Sequence, residues 1–290
     1  MSAGGLLGLR RFLELIRFEH TLFALPYAVA GAFMAARGLP ALAVCGWILV
    51  AMVGARTAAM TFNRLVDRRF DAANPRTARR HSVTGAVGPG FMTAALVVSG
   101  TLFFYAAWRL NALAFKLAFP TLALLLAYSV TKRFLPYTHV ILGVALGISP
   151  LGAWVAVRGS LDGAWPALWL SCAVTVWTAG FDILYACQDV EFDRREGLQS
   201  IPARLGVARA LGLARLLHVA TATLLAGLYL VTPLHPLYLA GVAGVAALLA
   251  YEHSLVHASD LSRVNAAFFT VNGWVGVFYF AATSAARLLA

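Results

Sequence analysis

The chain has 290 residues, 61% of them hydrophobic and only 12% charged, with a mean hydropathy of +0.78. A soluble domain carries about 25% charged residues, so this composition excludes a soluble enzyme and calls for an integral membrane protein. The net charge of +11 would suit a nucleic-acid binder, but the basic side chains gather at the ends of apolar runs, where they track topology, and no nucleic-acid partner is expected.

In chain order, residues 1–19 read as an amphipathic interfacial helix, with Arg10, Arg11 and Arg17 set against leucines and phenylalanines. Apolar runs follow near 20–36, 41–62, 91–108, 112–131, 137–157, 164–186, 209–231, 235–252 and 265–287. The first is expected to be a retained span rather than a cleaved signal peptide. Gly38-Leu39-Pro40, Gly88-Pro89-Gly90, Pro136, Gly163 and the Pro233–Pro236 stretch punctuate them. The expectation is an all-α polytopic bundle of about nine transmembrane helices, forming one domain over 1–290. A cytoplasmic N-terminus puts the 63–90 loop, Lys132-Arg133, the 189–208 loop and Arg263 on the basic side, leaving mainly Arg37, Arg109 and Arg158 opposite. A bacterial-type inner membrane, with the charged loops facing the cytoplasm, is the expected location. Cys45, Cys172 and Cys187 are far apart in apolar surroundings and suggest neither a disulfide framework nor a zinc site.

The chemistry concentrates after the second and sixth spans. Seven of the 12 acidic residues, Asp67, Asp71, Asp182, Asp189, Glu191, Asp193 and Glu196, lie in two short stretches. In the first, Asn63, Asp67 and Asp71 recur every four residues, which on a helix lines oxygen ligands along one face over ~12 Å. Oxygen donors of this kind suit Mg²⁺. Arg64, Arg68 and Arg69, interleaved with them, can meet an anion that the metal also holds, such as a phosphate ester. Asp189 and Asp193 repeat the spacing, with Asp182 two turns earlier, and the shared position of the loops hints at a weak internal repeat. Two carboxylate pairs facing each other across the bundle can hold two Mg²⁺ ions that bridge a diphosphate leaving group, with Arg64, Arg68, Lys132 and Arg133 as further donors. The competing readings are charges that only set topology, or an ion-pair network that ties loops together.

Asp182, inside an apolar run, needs a partner or a wet cavity, since a mid-span carboxylate costs about 2.5–3.5 kcal/mol on insertion scales. Arg56 shares a helical face with Asn63 and is expected to meet an acceptor carboxylate or the diphosphate; the bland alternatives are snorkelling or pairing with an internal acid such as Asp182. His253 and His257 have a metal-compatible spacing, but a solvated loop is the expected setting. His20 beside Glu19 reads as an interfacial pair or part of an acceptor entrance. Paired intramembrane acids also mark cation-coupled transporters, which keep them near mid-span on broken helices.

Taken together, Asn63-x-x-x-Asp67-x-x-x-Asp71, Asp189-x-x-x-Asp193, Arg76-Thr77-Ala78-Arg79-Arg80, the Tyr128–Phe134 stretch and Tyr185-Ala186 resemble the UbiA superfamily of intramembrane aromatic prenyltransferases over nearly the full length. Arg80-His81 stands where many members have Arg-Pro, and Asn63-Arg64 where Asn-Asp is frequent. The Phe18–Pro26 stretch, Gly54-Ala55-Arg56 and the Phe181–Asp189 stretch resemble the branch of 4-hydroxybenzoate polyprenyltransferases and the related menaquinone enzymes. The resemblance implies that Mg²⁺ held by Asn63, Asp67, Asp71, Asp189 and Asp193 binds a polyprenyl diphosphate. Its ionisation would leave an allylic cation for the ring of 4-hydroxybenzoate or 1,4-dihydroxy-6-naphthoate to attack. Haem, a chlorophyllide or a glycerol phosphate lipid are other acceptors the superfamily allows. Lys132 would join the reacting centre, and Tyr128, Tyr185, Phe62 or Phe181 can face the cation.

Overall fold

The structure is a computed structural model, described over residues 10–16 and 21–289; the expectations for Arg17, Phe18, Glu19, His20 and the start of the N-terminal helix lie outside these residues. Among the described residues every regular element is a helix, and an isolated bridge between His257 and Asp260 is the one strand-like pairing. The elements are α1 (10–15), α2 (Thr21–Ala36), α3 (Leu42–Val66), α4 (Arg68–Ala73), α5 (Pro89–Leu110), α6 (Ala112–Thr131) and α7 (Thr138–Arg158). They continue with α8 (Trp165–Ala186), α9 (Val190–Arg195), α10 (Ile201–Leu205), α11 (Val207–Val231), α12 (Leu237–Ser254) and α13 (Asn272–Leu288).

Among the described residues, eight helical stretches are long and apolar enough to cross a membrane. The expected first span corresponds to α2, of which 16 residues are described, with Pro26 inside it. One expected breaker and two residues not singled out from the sequence end or start helices. Gly88 precedes Pro89 at the first position of α5, where the missing amide hydrogen costs nothing. Asn111 ends α5 with its backbone N–H on Ala107 and starts α6 by accepting from the Ala114 amide, at 2.8 Å. Gly159 closes α7 in the left-handed region, φ 69°, as a C-terminal cap requires.

The chain forms two compact units, one holding α1 with Gly46–Val130 and the other Leu22–Cys45 with the chain from Thr131 onward. In the first, Phe12 and Leu15 of α1 and Ile16 just after it are buried with Val87 and Met92, and Met60 and Leu65 of α3 pack against them. The apolar side of α1 thus lies on protein. Its polar side carries Glu14, which accepts from Arg10 at 2.8 Å and contacts His81 at 3.1 Å; these two hydrogen bonds hold its carboxyl below the ordinary range. Where α3 crosses α5, a Cβ on Gly54 would lie 2.9 Å from the Ser99 carbonyl oxygen, so only glycine permits this approach.

In the second unit α8 is the central helix, packed by α7 and α11, while α12 pairs with α13. Gly147 on α7 lets the helices close in, since a Cβ there would sit 2.7 Å from the Ser171 oxygen of α8. Tyr27, Trp177, Phe181, Tyr238 and Tyr279, all nearly fully enclosed, build the core. Tyr27 stacks on Tyr279 at 5.0 Å, and Trp177 meets Phe181 edge-on at 4.8 Å.

Candidate active site

The first motif begins in the last turn of α3. The helix breaks at Asp67, φ −93° and ψ 4°, which caps the six-residue α4. Helical hydrogen bonding nonetheless runs through the break, from the Asp67 amide to Asn63 O at 2.9 Å and from the Asp71 amide to Asp67 O at 2.8 Å. The expected one-face spacing therefore survives. Asn63 donates from Nδ2 to Asp67 Oδ2 at 2.7 Å, which turns its carbonyl oxygen toward Arg64 Nη1 at 3.2 Å.

Asp71 is buried, 6% exposed, and Arg80 answers its charge at 2.5 Å from Oδ1. Arg64 is buried too: it donates to the Leu15 carbonyl at 3.2 Å and lies 3.6 Å from Asp71 Oδ2. Its guanidinium thus ties α1 to the motif, while Arg68 and Arg69 are exposed. Thr77 donates to the Asp71 carbonyl at 2.9 Å, fixing the turn that delivers Arg80. Half-buried Arg56 sits on α3 two turns before Asn63, and Tyr128, also half-buried, in the last turns of α6.

The second motif repeats the first at the level of backbone angles. α8 ends at Ala186, a tight turn covers Cys187–Asp189, and Asp189, at φ −104° and ψ 6°, caps another six-residue helix, α9. Asp193 then takes the place in α9 that Asp71 takes in α4. It is fully enclosed at 0% exposure, accepts from Ser200 Oγ on Oδ2 at 2.8 Å, and has Lys132 Nζ 2.7 Å from Oδ1. Lys132 also fixes the loop by its backbone, accepting from the Gln199 amide at 2.7 Å. Arg133, next to it, is half-buried.

Asp182 finds its partner in His139, which the sequence reading did not single out. His139 Nδ1 lies 2.6 Å from Asp182 Oδ2, and Nε2 accepts from the Ile201 amide at 3.4 Å. An accepting Nε2 leaves the proton on Nδ1, aimed at the carboxylate. The available signal was position: His139 opens α7 just after the Lys132-Arg133 turn. Tyr185, one turn before Asp189, packs on Phe268 with ring centroids 4.2 Å apart.

The setting expected for His253 is corrected. α12 runs on to Ser254, so His253 is half-buried on a helix and lies 2.9 Å from His218 of α11. The helix ends before His257, which is exposed, and the two histidines share no helical face.

Among the described residues no group of three or more His, Cys, Asp or Glu side chains is placed to hold a metal. Each motif offers a carboxylate pair instead, which is the donor set Mg²⁺ takes when waters and substrate phosphates complete its shell. Asp71 Oδ2 adds to the fit, being buried and accepting no hydrogen bond among the described residues. Oxygen donors beside fixed cations can receive a metal-bound polyanion.

Comparison with known proteins gives the family. The chain is 31% identical to the 4-hydroxybenzoate octaprenyltransferase of Nitrosospira multiformis over 87% of its own length and 85% of the relative's. It is 33% identical to the 4-hydroxybenzoate solanesyltransferase of Synechocystis over 71% of each. An apo structure of a UbiA homolog from Aeropyrum pernix superposes with a TM-score of 0.83 at 34% identity, covering 91% of this chain and 96% of that one. A UbiA homolog from Archaeoglobus fulgidus bound to DMAPP and Mg²⁺ shares the fold, with a TM-score of 0.74 at 22% identity over 96% and 99% of the two chains. With residues 24–275 matching the family as a whole, this chain belongs to the UbiA prenyltransferase family and is a membrane-embedded prenyltransferase.

Proposed function

We propose that the chain transfers a polyprenyl group from a polyprenyl diphosphate to the ring of 4-hydroxybenzoate in ubiquinone synthesis, in a Mg²⁺-dependent reaction. The observation that carries this reading is the twice-built motif: an aspartate at a helix break, followed by a buried aspartate neutralised by a basic side chain. The relatives named for 4-hydroxybenzoate supply the acceptor.

Asn63, Asp67 and Asp71 would hold one Mg²⁺ and Asp189 and Asp193 another, and the metal would supply charge neutralisation on the departing diphosphate. Arg80 and Lys132 hold the second aspartate of each motif in place, so that neither swings when the polyanion arrives. Arg68, exposed beside its motif, and Arg133 are donors for phosphate oxygens. Arg56 receives the acceptor carboxylate. Tyr128 and Tyr185 present electron-rich faces to an allylic cation, and the apolar helices exclude water that would consume it. Asp182, held by His139, offers its carboxylate to the acceptor. The positive-inside pattern supports motif loops on the cytoplasmic side of a bacterial-type inner membrane.

A transporter would keep its acids at mid-span, whereas both motifs begin where a long helix ends. The decisive experiment supplies purified protein with Mg²⁺, octaprenyl diphosphate and either 4-hydroxybenzoate or 1,4-dihydroxy-6-naphthoate. Prenylated 4-hydroxybenzoate, lost on adding EDTA, is the expected product. Turnover of the naphthoate alone would move the acceptor, and no turnover of either would sink the proposal.

A further inference from the structure

Between α12 and α13 the backbone widens into a π-helical turn over Ala266–Val271. Such turns are rare and are kept where something specific holds them. What holds this one is Asn272, which has 0% exposure. Its amide nitrogen donates to Glu252 Oε1 at 2.7 Å and reaches back to the carbonyls of Ala267 and Phe268 at 3.3 and 3.2 Å. Its amide oxygen accepts from Trp177 Nε1 at 2.9 Å, which fixes the orientation of the group. Glu252, also fully enclosed, lies 3.4 Å from His218 Nδ1, and His218 in turn sits 3.3 Å from the Trp177 carbonyl. Helices α8, α11, α12 and α13 are thus joined by one polar chain inside an apolar core.

The turn determines where its own aromatic residues point. Phe268 packs on Tyr185 at 4.2 Å, on Phe181 at 5.3 Å and on Phe23 at 5.9 Å. Phe269 meets Tyr185 at 5.8 Å. Tyr185 and Phe181 belong to the stretch of α8 that leads into Asp189. The hydrogen bonds of the Glu252–Asn272 pair end on Trp177, Ala267 and Phe268, and none of them on a motif carboxylate. Nothing in the proposed chemistry uses it, yet a buried carboxylate bonded to a buried amide is costly to keep unless it fixes a geometry.

We propose that Asn272 and Glu252 are positioning residues that, through the π-helical turn, hold Phe268 against Tyr185 as a wall shielding the allylic cation from water. This rests on the prenyl-transfer reading above. When the wall is loosened, the same ionised substrate is captured differently. The C1–O bond to diphosphate breaks with its electron pair leaving on the diphosphate, then a water oxygen bonds C1 and sheds a proton, giving prenyl alcohol instead of prenylated acceptor.

The test measures the ratio of prenyl alcohol to prenylated 4-hydroxybenzoate, together with KM for octaprenyl diphosphate, in the full-length protein. Asn272→Ala and Glu252→Ala should raise that ratio by about three- to tenfold, the range one displaced cation–aromatic contact spans, with KM for the diphosphate unchanged. Glu252→Gln keeps an oxygen acceptor for Asn272 and should hold the wild-type ratio. Trp177→Phe removes the N–H that orients Asn272, together with part of the ring packed on Tyr27 and Phe181, and should shift the ratio in the same direction if an alanine variant fails to fold. A fall in turnover with an unchanged ratio, or a glutamine variant that behaves like the alanine one, would overturn the inference. A wild-type protein that makes no prenylated product removes the prenyl-transfer reading and this inference with it. A wild-type that does, beside variants of unchanged ratio, overturns this inference alone.

Discussion

Lys132 places its ammonium 2.7 Å from Oδ1 of Asp193, a carboxylate with no exposed surface. Removing one partner of such a pair strands the other charge, at a cost of about 3 kcal/mol. Lys132→Met should therefore lower the thermal midpoint in detergent and abolish turnover. The double variant Lys132→Met with Asp193→Asn should regain most of the midpoint but no activity. Full recovery of both would assign the pair to stability alone.

Asp67 and Asp189 occupy matching breaks, with ψ near zero in both. Replacing either by Ala should cut turnover by about a hundredfold or more, because each removes an oxygen from the metal-binding set. Raising the Mg²⁺ concentration should partly restore the rate of the Asn variants. Undiminished activity in both alanine variants would remove the motifs from the chemistry.

His139 holds Asp182 at 2.6 Å from inside the unit, itself 2% exposed. His139→Phe should destabilise the protein by about 1–3 kcal/mol through the carboxylate left unmet. Adding Asp182→Asn should return part of that loss. A double-variant cycle with no coupling between the two positions would show that the contact carries no energy.

Arg56 is expected to read the acceptor. Arg56→Ala should raise KM for 4-hydroxybenzoate by about tenfold or more, as loss of a charge-assisted hydrogen bond implies, and leave KM for the diphosphate near wild type. Equal losses for both substrates would make its role structural.

Gly54 and Gly46 lie on the same helix and should respond oppositely. A Cβ at Gly54 meets the α5 backbone at 2.9 Å, whereas nothing lies within 4 Å of one at Gly46. Gly54→Ala should cost about 1–3 kcal/mol by pushing two helices apart. Gly46→Ala should be neutral or stabilising by up to about 1 kcal/mol, since alanine favours the helix. Thermal unfolding in one detergent compares them directly.

The helices and both motifs were legible in the sequence because they depend on local order. Apolar runs bounded by Gly and Pro set the spans, and a four-residue repeat of aspartates survives even a helix break. Asp182 announced a need for a partner, since a lone carboxylate in an apolar run is costly. Its answer, His139, came from 43 residues away and carried no local sign. His253 shows the converse: its polar surroundings in the sequence suggested a solvated loop, and α12, running on to Ser254, sets it beside His218 instead.

By itself, then, the sequence determined that this is a membrane-spanning helical protein and where its acidic chemistry gathers, because hydropathy and helical period act between near neighbours. Only the tertiary structure decided which cation neutralises which carboxylate, how Arg64 is drawn into the fold beneath α1, and that Asn272 holds a π-helical turn. Those outcomes depend on side chains that meet in space from distant points in the chain, and burial, which sets their energy, exists only once the helices have packed.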